Sequence, residues 1–196
     1  MAERLAAAND AREAGLAACR AVIRASSSAI RAVHLHDRAT AAARLDEAEA
    51  ALATAREALA PHPSVAYAGF LHDAAKEYVE GVATAALVDG TPVPGPSELG
   101  VEDAAWLNGV AEAASELRRH TLDRLRQGDL NLAETLLARM DDVFGELVSI
   151  DAPDALTGGL RRTLDALRAV IERTRGDVTT AVLQQRLRDA LEGRLA

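Results

Sequence analysis

Apolar positions recur every three or four residues along almost the whole chain, the period of an amphipathic helix rather than a strand. The pattern predicts a first helix over residues 8–35 and a second over 39–60. "PHP" at 61–63 breaks the chain, and Ser64 can cap a third helix running to about residue 88. "DGTPVPGPSELG", residues 89–100, is rich in proline and glycine and reads as the one long loop. A fourth helix then covers 101–127 and stops at Gly128, and a fifth covers 130–150. "DAPDALTGG" makes a turn, and a sixth helix runs to about Arg175. "RGD" at 175–177 interrupts it, and a seventh covers 178–193. No segment alternates apolar and polar residues with β-branched enrichment, so no strand is expected. Mostly short connections predict that consecutive helices pack antiparallel. The expectation is an all-α bundle of about seven antiparallel-packed helices forming a single domain over residues 1–196.

Composition narrows what fills that bundle. Aromatics make up only 3% of residues, so the core must be built from Ala, Leu and Val. The single cysteine, Cys19, excludes an intramolecular disulfide and a cysteine-based zinc site. No apolar run approaches the roughly 18 residues of a membrane span, and the N-terminus lacks the apolar core of a signal peptide. A cytoplasmic protein without a membrane partner is the expectation.

Charge is unevenly placed. The net charge of −8 argues against indiscriminate coating of nucleic acid. Acids and arginines balance over residues 1–60, whereas residues 61–117 hold nine acids and one base, Lys76, the only lysine in the protein. Within that segment "HDAAKEYVEG" places Asp73, Glu77 and Glu80 at helical same-face spacing, although like charges there repel. Glu112 and Glu116, four apart, form a second pair in "VAEAASELRRH". Two helices separated by one loop can pack antiparallel and bring such pairs together, and clustered carboxylates need a counter-charge to remain ionised. Mg²⁺ or Mn²⁺ prefers hard oxygen ligands and can polarise a phosphate and activate a water. The alternative reading is that these acids are solvated helix faces. A di-iron site needs Glu-x-x-His pairs, but Glu77 is followed three residues on by Glu80, and Glu116 by Arg119.

Nucleotide-binding glycine loops, nucleophile elbows and HExxH are absent. His34 and His36, two apart, have poor metal spacing and suit surface or helix-end roles. His72 and His120 lie near the acids in sequence and could assist proton transfer. Arg20, Arg24 and Arg31 lie along one side of the first helix, and Arg118, Arg119 and His120 directly follow the second acidic pair. Basic groups beside a carboxylate-held metal suit a phosphodiester ligand.

Four stretches in order, "ASSSAIRAVH", "DAAKEYVEG", "ELGVEDAAWLNGVAEAASELRRHTLDRLRQGD" and "DAPDALTGGLRRTLDALRAVIERTRGDV", resemble the translin family, translin and translin-associated factor X. The likeness covers roughly residues 15–185. It implies seven helices and a closed, hollow homo-oligomer, an octamer or hexamer, that binds single-stranded RNA and DNA. The factor X branch implies Mg²⁺-dependent endoribonuclease activity; translin itself implies a non-catalytic binder or scaffold. The catalytic carboxylates of the former map onto Glu77, Glu80, Glu112 and Glu116. Glu112 stands where that branch has aspartate, and Ser115 where the family usually has glycine. Retention of all four acids points to the endoribonuclease.

Overall fold

In the computed structural model the amphipathic stretches become six long helices and three single-turn ones, with no strand among the described residues, 1–66 and 68–193. Residue 67, inside the third expected helix, lies outside that set, as do residues 194–196. The order is α1 (Ala2–His34), α2 (Arg38–Leu59), α3 (Pro63–Ala66), α4 (Phe70–Asp89), α5 (Pro96–Leu99), α6 (Asp103–Gln127), α7 (Leu130–Val148), α8 (Asp154–Thr157) and α9 (Leu160–Glu192). Nine helical elements among the described residues therefore replace the expected seven. Ser64 sits inside α3 instead of capping a long helix. The chain turns again at Gly69, whose φ of 94° is open to glycine at no steric cost, and α4 starts there.

The two expected helices on either side of Arg175-Gly176-Asp177 are one, α9. A glycine inside a helix costs about 1 kcal/mol relative to alanine. Tertiary contacts offset it. Thr174 and Val178 are buried, Arg118 reaches both Thr174 Oγ1 at 3.0 Å and Asp177 at 2.8 Å, and Arg175 pairs with Asp141 at 2.7 Å.

The aliphatic core forms two main clusters that meet at α4. Ala74, Ala75 and Tyr78 face Cys19, Val22, Leu52 and Ala55 of α1 and α2. Val79, Ala83 and Leu87 pack toward α6 and share the second cluster with Leu117, Leu136, Met140 and Leu167 of α6, α7 and α9. Burying side chains of this size stabilises by about 1.5–3 kcal/mol each. α4 is therefore gripped on two sides, and Lys76, Glu77 and Glu80 emerge at the seam with α6.

Helix direction corrects a second expectation. α1 and α2 are antiparallel, with Gly15 against Leu59 and Ala32 and Val33 beside Ala41. But α4 and α6, consecutive long helices, run parallel. His72 lies 3.4 Å from Glu102, the Lys76 backbone meets Gly109, and Val88 and Asp89 line a cavity with His120 and Arg124. The chain must travel back the length of α4, about 30 Å at 1.5 Å per residue. The proline-rich segment 90–102 makes that return. Its prolines restrict φ, and Trp106 Nε1 pins it by donating to the Pro94 carbonyl at 2.8 Å. The long loop is thus a crossover strap.

Parallel packing here requires a close approach. A Cβ on Gly109 would lie 2.7 Å from the Lys76 carbonyl oxygen and 2.7 Å from Val79 Cβ. Gly109→Ala tests this. On an unhindered helix the change stabilises by about 1 kcal/mol. Here it should lower the melting temperature measured by circular dichroism, because α4 has to move off α6. A raised melting temperature would show that the helices part without cost.

Candidate metal centre

The crossover aligns two i, i+3 or i, i+4 acidic pairs in the same direction, Glu77 and Glu80 on α4 beside Glu112 and Glu116 on α6. Carboxylate oxygens of Glu77, Glu80 and Glu112 all lie within 4.8 Å of one another, and all three residues are half-buried. Lys76 Nζ donates to the Glu112 carboxylate at 2.7 Å. Asp73 is exposed and outside this triad.

Glu116 is turned to a different partner. His34 Nε2 donates to Glu116 Oε2 at 2.8 Å, and His34 Nδ1 lies 2.9 Å from His120 Nε2. With Nε2 engaged by Glu116, the second ring nitrogen of His34 shares its hydrogen bond with His120. Both rings are buried, His120 to 2% exposure. At the outer end, His36 lies edge-on to His120 with centroids 5.7 Å apart and accepts from Arg124 at 3.2 Å. His34, expected at the surface or a helix end, ends α1 but is buried there as the anchor of Glu116. The role follows from the packing that brings the end of α1 to α6, 82 positions away, and no local sequence signal marks it.

These surroundings set the protonation preferences. Burial, followed by the nearby charges of Glu77, Glu112 and Glu116, pushes Glu80 up to about 8. Burial also raises Glu77 above the ordinary carboxylate range, with Lys76 opposing and Glu112 and Asp73 assisting. Glu116 is lowered, because the hydrogen bond from His34 outweighs burial. Lys76 is disfavoured by burial, yet its bond to Glu112 and the other carboxylates raise it overall. Burial, together with His34, His36 and Arg124, drives His120 down to about 4. The donor set fits a hard divalent cation: three carboxylates converge, and a dication offsets both the burial and the mutual repulsion that raise Glu80.

The basic residues separate. Arg20, Arg24 and Arg31 are exposed along α1, and Arg119 is exposed on α6. Arg118 is engaged by Asp177 and Thr174 of α9. His120 is enclosed beside His34, so of the 118–120 cluster Arg119 alone faces outward. No helix among the described residues is long and apolar enough to cross a membrane.

The same architecture occurs in solved structures. The chain matches AfC3PO of Archaeoglobus, in its complex with duplex RNA, at TM-score 0.85 and 33% identity, covering 93% of this chain and 94% of that one. The chain belongs to the translin family. AfC3PO alone also matches at TM-score 0.85, over 95% of its chain. A more distant translin-family structure, apo-NeC3PO of Nematostella, shares the fold at TM-score 0.83 and 21% identity, covering 91% of this chain and 94% of that one. An uncharacterised protein of Methanocaldococcus jannaschii is 27% identical over 127 residues, 64% of this chain, and the match spans 57% of that curated relative's length. No protein-family model matches the chain.

The raised Glu80 makes a pH-dependent prediction. A folded-state value of about 8 lies above the ordinary 4.5, so the fold prefers the protonated acid. Its contribution to stability is fully present below about 4.5 and is lost as pH rises through 8. Glutamine imitates the protonated side chain. In EDTA, Glu80→Gln should melt close to the parent near pH 4.5 and several degrees above it near pH 8.5. Equal melting temperatures at both pH values would show that Glu80 ionises as readily folded as unfolded.

Proposed function

We propose that this translin-family chain is a metal-dependent endoribonuclease acting on single-stranded RNA as a homo-oligomer. The observation that carries the reading is the convergence of Glu77, Glu80 and Glu112 within 4.8 Å across two parallel helices. Glu77, Glu80 and Glu112 would hold Mg²⁺ or Mn²⁺. Such an ion supplies Lewis-acid polarisation of a phosphoryl oxygen and makes a water more acidic.

The protein's own groups do the rest. Ionised Glu116, fixed through one oxygen by His34, keeps its other oxygen available to orient a water beside the triad. Arg119, next to Glu116 on the same groove, offers a guanidinium to a phosphodiester. Arg20, Arg24 and Arg31 extend a basic row along α1, where arginines track a nucleic-acid backbone without reading sequence. The complex of AfC3PO with duplex RNA supports RNA as the ligand class. Single-stranded RNA is the substrate proposed here, because a half-buried site between helices suits a splayed chain better than a paired one; single-stranded DNA would compete for the arginines.

Purified protein incubated with labelled single-stranded and duplex RNA, under Mg²⁺, Mn²⁺ or EDTA, tests this. Cleavage should require the metal and favour the single strand. Glu80→Gln and Glu112→Gln should each reduce it by about 100-fold or more with RNA binding retained. RNA binding without cleavage by the parent in either metal would mark a non-catalytic RNA-binding oligomer instead.

Assembly is supported by Leu183, Leu187 and Leu191, four apart along the end of α9 and 57%, 61% and 52% exposed. A row of exposed leucines is the kind of apolar surface that marks a protein–protein contact, and a second copy of this chain would cover it. Replacing all three with serine should reduce the particle mass measured by light scattering while the circular dichroism spectrum stays helical. An unchanged mass would place the assembly contacts elsewhere.

A further inference from the structure

The two acids of the α6 pair are held by partners of different kinds. Glu116 is tied to His34, whose side chain is 4% exposed and wedged against His120. That partner has nowhere to go. Glu112 is tied to Lys76, whose four-carbon stem is flexible and whose side chain, 22% exposed, keeps a partial route to solvent. Lys76 is also chemically singled out, being the one lysine in a chain with 21 arginines. An arginine there would grip Glu112 with a rigid bidentate fork; an ammonium is a compact point charge that can withdraw.

A metal held by these carboxylates would compete with this ion pair. Lys76 Nζ sits 2.7 Å from the Glu112 carboxylate, which has one oxygen within 4.8 Å of an oxygen from each of Glu77 and Glu80. A dication among those oxygens would stand within a few ångströms of the ammonium, and the two positive charges would repel. One carboxylate set cannot serve both.

We propose that Lys76 is an exchangeable internal counter-ion. It neutralises the carboxylate cluster while the site is metal-free, and it is expelled from Glu112 when a divalent cation binds. Two things follow. The metal-free protein tolerates its half-buried acids without unfolding, and metal affinity is held below what three bare carboxylates would give, so loading depends on metal concentration.

This rests on the metal reading, and manganese binding to the full-length protein separates the two. Free Mn²⁺ is followed by electron paramagnetic resonance during titration. Lys76→Met keeps the stem and removes the charge. Its Mn²⁺ dissociation constant should fall about tenfold below the parent's, and its melting temperature should drop in EDTA but recover with Mn²⁺. Lys76→Arg, which preserves the charge and should fold even if the Met variant does not, should bind Mn²⁺ more weakly than the parent. If the parent binds Mn²⁺, and Glu112→Gln abolishes that binding, yet Lys76→Met binds no tighter or Lys76→Arg no weaker, Lys76 is a fixed structural ion pair and the inference is wrong. If the parent binds no Mn²⁺, the metal reading itself falls, and this inference with it.

Discussion

Everything at the carboxylate cluster depends on one close contact, the passage of α4 over α6 at Gly109. With no Cβ there, the Lys76 carbonyl and the Val79 side chain settle directly onto the α6 backbone. Three residues further along, Glu112 comes level with Glu77 and Glu80. The parallel direction matters as much as the distance. It puts both acidic pairs in register, whereas an antiparallel pair would reverse one of them. The strap over residues 90–102 makes that direction possible.

The packing that gathers the acids also opposes them. Half-buried carboxylates a few ångströms apart repel and lose hydration. The fold answers with two positive or hydrogen-bonding partners from different places. Lys76 comes from within α4 itself. His34 comes from the end of α1, backed by His120 from α6. Glu80 has neither and is the acid driven furthest toward its protonated form. The central position of α4, held by apolar clusters on two sides, keeps this unfavourable electrostatic arrangement from relaxing by helix separation.

The arginines divide along similar lines. Arg118, Arg139 and Arg175 are structural. Arg118 clips α6 to α9, Arg139 donates to the Leu87 and Val88 carbonyls at the end of α4, and Arg175 joins α9 to α7. The exposed arginines of α1, with Arg119, are a surface of opposite sign to the acidic seam. A net acidic chain can in this way present a basic row.

Much of the fold was legible in the sequence because helix formation is largely local. The 3.6-residue period located the long helices, and Gly128 marked the end of α6 as expected. The same locality placed Glu77 with Glu80, and Glu112 with Glu116, on shared helix faces. Where contacts between distant segments outweighed local preference, the sequence alone misled. Gly176 reads as a break, but Arg118 and Asp141 hold the helix straight through it. Residues 89–100 read as a loop, but nothing local says that a loop reverses direction for a parallel return. Whether Glu112 meets the α4 acids, why Glu116 turns to His34 instead, and which arginines are already engaged were all decided by tertiary structure. Hydrogen bonding and charge pairing act over a few ångströms in space and are indifferent to separation along the chain, so the 82-position separation of His34 and Glu116 conceals an interaction that the folded molecule makes at hydrogen-bond distance.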